Sequence, residues 1–141
     1  GFMWFGTQDG LNRYDGYNFI QYRNMRNNNK SISNNYIWDI HEDDDGILWI
    51  ATFGGGLNKL NPLTGQLNYF ITNPNDSTSF PSKRLFSIIE SPKGVLWIGS
   101  NEGLIRFDKS TEKKKIFLCH DYRLISKKRH FLIFFFFQNI S

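Results

Sequence analysis

The chain is 141 residues long, 40% hydrophobic and 17% aromatic, with a formal net charge of +4. The basic excess sits at the end: residues 1–107 hold nine Lys and Arg against ten Asp and Glu, which excludes a nucleic-acid face spread over that part. One cysteine, Cys119, excludes an internal disulfide and a cysteine metal cluster, and the high aromatic share favours strands over helices.

In chain order, Phe2 to Phe5 is an apolar run of strand length, read as a strand buried on both faces. Gln8, Asp9 and Gly10 turn the chain, Leu11 to Tyr14 gives a second strand, and Asp15-Gly16 is read as a two-residue hairpin leading into a third at Tyr17 to Tyr22. Asn24 to Asn35 is polar and aperiodic, hence a loop. Tyr36 to Glu42 alternates, with Tyr36, Trp38 and Ile40 on one side and Ile37, Asp39 and His41 on the other. Strands at Ile47 to Thr52, Leu57 to Asn61 and Gln66 to Ile71 follow, making a four-stranded antiparallel meander. Within it, Ile47 and Trp49 project to one side, Leu48 and Ile50 to the other.

The same text recurs. Trp4, Trp49 and Trp97 stand 45 and 48 residues apart. The three extra residues fall in turns: one in Gly54-Gly55-Gly56 where the other copies have only Gly10 or Gly103, two where Asn61 to Thr64 replaces Asp15-Gly16. Trp4, Gly10, Trp49, Gly56, Trp97 and Gly103 are therefore the structural markers of a repeat. The units expected are 1–24 (partial), 25–72 and 73–121, the last two each with its preceding linker. The match stops near Asp121. Residues 122–141, with Lys127, Lys128, Arg129 and the run Phe131 to Phe137, form a non-repeat tail. Its seven-residue run is far short of the ~20 a membrane span needs. A membrane-surface segment is a second reading, and a chain end unrelated to the fold, out of frame or disordered, fits best.

Four-stranded units with a tryptophan strand at this spacing look like β-propeller blades. The run Gly1 to Asp15, its copies at Gly46 and Gly94, and the segment Ser31 to Asp43 resemble the two-component regulator propeller repeat. The fold class expected is all-β: a partial propeller of antiparallel four-stranded blades, fewer than the four that close a ring. The resemblance implies a periplasmic sensor region of a hybrid two-component regulator, with a histidine kinase and phosphorelay modules elsewhere in a dimeric parent, and an oligosaccharide ligand. A propeller enzyme of lyase type, with catalytic residues on other blades, and a protein-binding propeller are the alternatives. No secretory signal is read in this chain, which opens inside a repeat. Each blade needs neighbours on both faces. Losing a few hundred Å² of apolar contact, at ~25 cal/mol per Å², costs several kcal/mol, so isolated blades are expected to be marginal.

Asp43-Asp44-Asp45-Gly46 invites a calcium reading, but the loop spacing would put Thr52 where the twelfth-position carboxylate belongs, and the matching turn, Ser91 to Gly94, has no carboxylate. Gly54 to Gly56 lacks the lysine and hydroxyl of a phosphate loop and leads into a strand. No cofactor, metal or catalytic residue is expected: His41, His120 and His130 are unrelated in repeat position, and Ser100 lacks an esterase-type flank. Trp4, Trp49 and Trp97 are expected in the core. Trp38 and Asp39 are the ligand-binding candidates, because their strand would lie nearest the central channel of a propeller.

Overall fold

A computed structural model describes residues 1–118. The tail expected at 122–141 and the last residues of the 73–121 unit lie outside the described residues. Eleven strands form three antiparallel sheets among the described residues. The first holds β1 (Met3–Thr7), β2 (Gly10–Tyr14) and β3 (Phe19–Tyr22). The second holds β4 (Ile37–Glu42), β5 (Leu48–Thr52), β6 (Leu57–Leu60) and β7 (Leu67–Phe70), and the third β8 (Leu85–Glu90), β9 (Val95–Ser100), β10 (Gly103–Asp108) and β11 (Lys114–Leu118). Each sheet is a meander whose spatial order follows the chain.

One hairpin differs from expectation. Tyr14 pairs with Phe19, so the loop is four residues long. Asp15 causes this, since its Oδ1 accepts the amides of Tyr17 and Asn18 at 2.8 and 2.7 Å and draws the chain into a wider turn than Asp-Gly alone would make.

The sheets stack face to face through two apolar layers. Leu48, Ile50 and Leu60 of the second sheet meet Leu11, with Trp4 and Tyr22 at the margin, on the first. Trp49, Ala51 and Leu57, with Ile47 at the margin, meet Leu85, Leu96, Ile98 and Phe107 on the third. The alternation read at 47–50 is thus the division between the two layers. Each layer is also plugged by one residue of a polar loop, Ile32 in the first and Phe80 in the second, both essentially fully buried. The sheets approach one another through β1, β4, β5 and β8, so the first strands of the second and third sheets lie where the stack converges.

Three devices recur in every sheet. Gly10, Gly56 and Gly103 all have positive φ, and a Cβ at any of them would lie closer than 3.0 Å to a carbonyl oxygen of the outer strand, that of Tyr22, Phe70 or Phe117. Trp4–Tyr22, Trp49–Phe70 and Trp97–Phe117 are ring pairs at 5.8, 6.1 and 6.0 Å. The hydroxyls of Thr7, Thr52 and Ser100 donate to the carbonyls of Gly10, Gly56 and Gly103 at 3.0, 2.8 and 2.8 Å, and each accepts an amide of the same turn. Thr52 is fully buried. Thr52→Val, which keeps the shape and deletes both bonds, is therefore expected to cost about 1–2 kcal/mol in urea denaturation; a neutral effect would show that the hydroxyl does not hold the turn.

Two expectations on burial need correction. Of the repeat tryptophans only Trp49 is fully core, at 1% exposure. Trp97 is half-buried because its face of the third sheet has no described sheet upon it, and Trp4 because the position of Phe107, which packs on Trp49 at 5.7 Å, is taken in the second sheet by the smaller Leu60. Likewise Met3 and Phe5 on β1 are 57% and 41% exposed rather than covered. They occupy the repeat positions of Leu48 and Ile50, whose covering sheet precedes them, and no described sheet stands there for β1.

Candidate functional site

The strand holding Trp38 does not alternate strictly. Ile37 pairs with Thr52 and Asp39 with Ala51, so Trp38 is the extra residue of a β-bulge; in β8 the register shifts in the same way between Leu85 and Ser87, around Phe86. This corrects the alternation read from the sequence: Ile37 and Ile40, expected on opposite sides, both belong to the layer between the first and second sheets. A bulge rotates one side chain out of the strand's regular pattern. Here it brings Trp38 and Phe86, 48 residues apart in sequence, into edge contact at 5.5 Å.

Two further rings complete a patch across the second and third sheets. Tyr36, just before β4, lies 5.7 Å from Trp38 and 5.5 Å from Phe53, and Phe53, just after β5, lies 5.8 Å from Trp38 and 5.9 Å from Phe86. All four rings are half-buried, so each rests on its neighbours and presents part of its surface to solvent. The backbone fixes the patch. Phe53 bridges Arg84, Phe53 N–H donates to Tyr36 O at 2.9 Å, and Gly54 and Gly56 N–H both donate to Lys83 O at 2.8 and 3.0 Å. Gln8, in the turn between β1 and β2, donates to the Tyr36 hydroxyl at 3.2 Å. The exposed Arg84 holds its guanidinium carbon 5.5 Å from the centre of the Phe53 ring.

The structure separates the two sequence candidates. Trp38 stands in the ring patch. Asp39 has one oxygen accepting Ile40 N–H at 2.9 Å and the other accepting Ile88 N–H at 2.8 Å, so its carboxylate stitches β4 to β8. Of the residues the sequence reading did not nominate, Phe86 carried a signal, the repeat position of Trp38. Tyr36, Phe53 and Arg84 carried none, because their convergence depends on how two sheets meet.

At the opposite end of the same inner strands lies a buried ionic cluster. Lys109 Nζ reaches Asp43 Oδ2 and Glu90 Oε1, both at 2.8 Å, and His41 Nε2 lies 2.7 Å from Glu90 Oε2. Asp43 also accepts Trp49 Nε1–H at 2.9 Å and the amides of Asp45 and Ile47. Burial alone would raise the pKa of both carboxyls, yet both are lowered, Glu90 to about 2, because bonds from Lys109 and from the chain's own N–H groups outweigh it. Burial likewise opposes the charge on Lys109, and the two carboxylates raise its pKa against that. The chain's own donors thus fill the acceptors of Asp43, the one aspartate of its turn that is buried. Among the described residues no group of three or more His, Cys, Asp or Glu is placed to hold a metal ion.

Stacked four-stranded meanders that converge on their first strands are the blades of a β-propeller; the described residues form two of them and three strands of another, without closing a ring. The sequence profile of the two component regulator propeller matches residues 31–54, spanning the end of the polar stretch before β4, β4 and β5. The structure is similar to the extracellular domain of the hybrid two component system BT3049 from B. thetaiotaomicron, with a TM-score of 0.78, 30% identity, and coverage of 84% of this chain and 17% of that one. It is also similar to the extracellular domain of the one component system BT4673 from the same organism, with a TM-score of 0.63, 31% identity, and coverage of 79% of this chain and 16% of that one. The chain therefore spans about one sixth of the length of these structures. No curated protein matches it.

Proposed function

We propose that these blades belong to the periplasmic sensor region of a membrane-bound two-component regulator, that the region binds an oligosaccharide, and that the ring patch around Trp38 is part of its binding surface. The similar structures are extracellular domains of regulatory systems, which supports sensing rather than catalysis. In this reading the bound state is passed to a histidine kinase and phosphorelay modules of a dimeric parent.

One observation carries the choice of ligand. Bulges on successive blades aim Trp38 and Phe86 at each other, giving a broad aromatic surface that is partly open to water. Flat rings of this kind offer apolar faces to the C–H faces of a pyranose, and the backbone groups and hydroxyls at their edges can meet its hydroxyls. No helix among the described residues is long and apolar enough to cross a membrane. Titration calorimetry of the full-length protein against a panel of neutral and acidic oligosaccharides tests the reading. At least one is expected to bind, and Trp38→Ala to weaken it tenfold or more. Unchanged affinity in that variant would remove the patch from the site, and silence across the panel would remove the ligand class.

A further inference from the structure

We infer that the saccharide read at this patch is an acidic one, a uronic-acid oligosaccharide, and that Arg84 is the residue that selects it; the inference rests on the oligosaccharide reading above. Arg84 sits at the edge of the four rings, and its main chain is held on three sides: the bridge to Phe53, its N–H donating to Ser82 Oγ at 3.3 Å, and its carbonyl accepting Asn101 N–H at 3.2 Å. The root of the side chain is therefore fixed while its head is exposed. A guanidinium beside an aromatic ring is steered by the ring's negative face, and its N–H groups stay available in its own plane.

No ion pair within the described residues occupies the head of Arg84. Among the described residues Arg84 has no carboxylate within salt-bridge distance, whereas Arg23, Lys93 and Lys109 are paired with Asp9, Asp44 and the Asp43–Glu90 pair. The carboxylate of Asp39, between β4 and β8, accepts a backbone amide at each oxygen. The nearby Glu102 accepts from Asn101 Nδ2 at 3.1 Å. Lys83, the residue before Arg84, is exposed as well and adds positive charge to this edge. A planar fork of donors next to ring faces suits a ligand that combines a carboxylate with a pyranose ring. The carboxylate takes the paired N–H bonds that Arg makes and Lys cannot, and the ring lies over Trp38 and Tyr36.

The test compares tri-galacturonate and a hyaluronan tetrasaccharide with their carboxyl-reduced, neutral counterparts by titration calorimetry on the full-length protein. At least one acidic probe is expected to bind tenfold or more tightly than its reduced form. Arg84→Ala is expected to abolish that preference and Arg84→Lys to restore it only in part, and the preference should shrink as salt is raised. Equal binding of an acidic probe and its reduced form, with Trp38→Ala still weakening both, would overturn the acidic assignment and leave the saccharide reading standing. A preference untouched by Arg84→Ala would overturn the role of Arg84, and absence of binding by all four probes would overturn the inference as a whole.

Discussion

Gly56→Ala is expected to lower the unfolding free energy by about 4 kcal/mol, although it adds a single methyl group. Two costs combine. Gly56 has φ of +73°, where an L-residue pays roughly 1–2 kcal/mol. The new Cβ would also lie closer than 3.0 Å to the carbonyl oxygen of Phe70. That oxygen is backbone, fixed by the pairing of Leu57 with Phe70, so it can retreat only if β7 peels from β6, and overpacking of this kind adds roughly 1–3 kcal/mol. Gly65 supplies the control. Its φ is +72° and nothing lies within 4 Å of its would-be Cβ, so Gly65→Ala should cost only the backbone share, about 1 kcal/mol. Urea denaturation of both variants against the parent measures the difference. Equal losses would mean that the close approach of the outer strand is not what demands glycine at this point of every blade.

The comparison of the two glycines also shows what the sequence makes legible. Recurrence singled out Gly10, Gly56 and Gly103 while passing over Gly65, and the tryptophan spacing located three sheets. The side-to-side division at Ile47 to Ile50 could be read because that strand alternates without interruption and is covered on both faces. Trp38 is nominated by the expectation that first strands approach a central axis. What escaped notice depends on contacts between sheets. A bulge leaves no mark in composition, so strict alternation fails in β4 beyond Ile37, and the bond that the Asp39 carboxylate accepts from the amide of Ile88, 49 residues away, is not legible either. Ile32 and Phe80 are apolar residues flanked by polar ones, a pattern that reads as loop, yet each closes a core layer. Ser33 in the same stretch exchanges bonds with the buried Asn58, its amide donating to Oδ1 at 2.9 Å and its hydroxyl accepting from Nδ2 at 2.6 Å. The segment read as a linker is thus part of the packed unit, and its polarity reflects backbone groups satisfied at the blade's edge.

Lys109→Met is the second substitution with a large expected effect, about 3 kcal/mol at pH 7, and its pH dependence identifies the cause. The lysine side chain is 14% exposed and stands between Asp43 and Glu90, which are 3% and 11% exposed. Methionine fills a similar volume but removes the ammonium from between two buried carboxylates, leaving Glu90 with His41 alone as its basic neighbour, and breaking a buried pair costs roughly 3–5 kcal/mol. In the parent the native pKa of Glu90 is lowered from 4.5 to about 2, and that of Asp43 is lowered from 3.8. Groups depressed on folding stabilise above their unfolded values, and that contribution is lost as pH falls through the native ones, so the parent weakens between about pH 4.5 and 2. In the variant burial is no longer outweighed by the lysine, the carboxyls take up protons more readily, and acid relieves their repulsion. The two stability curves should therefore converge on acidification, the gap narrowing by more than half from pH 7 to pH 3 in denaturant titrations at fixed ionic strength. A gap independent of pH would assign the loss to packing of the lysine stem rather than to its charge, and the cluster would then be an apolar contact with charged ends instead of the ionic clasp that joins the inner turns of adjacent blades.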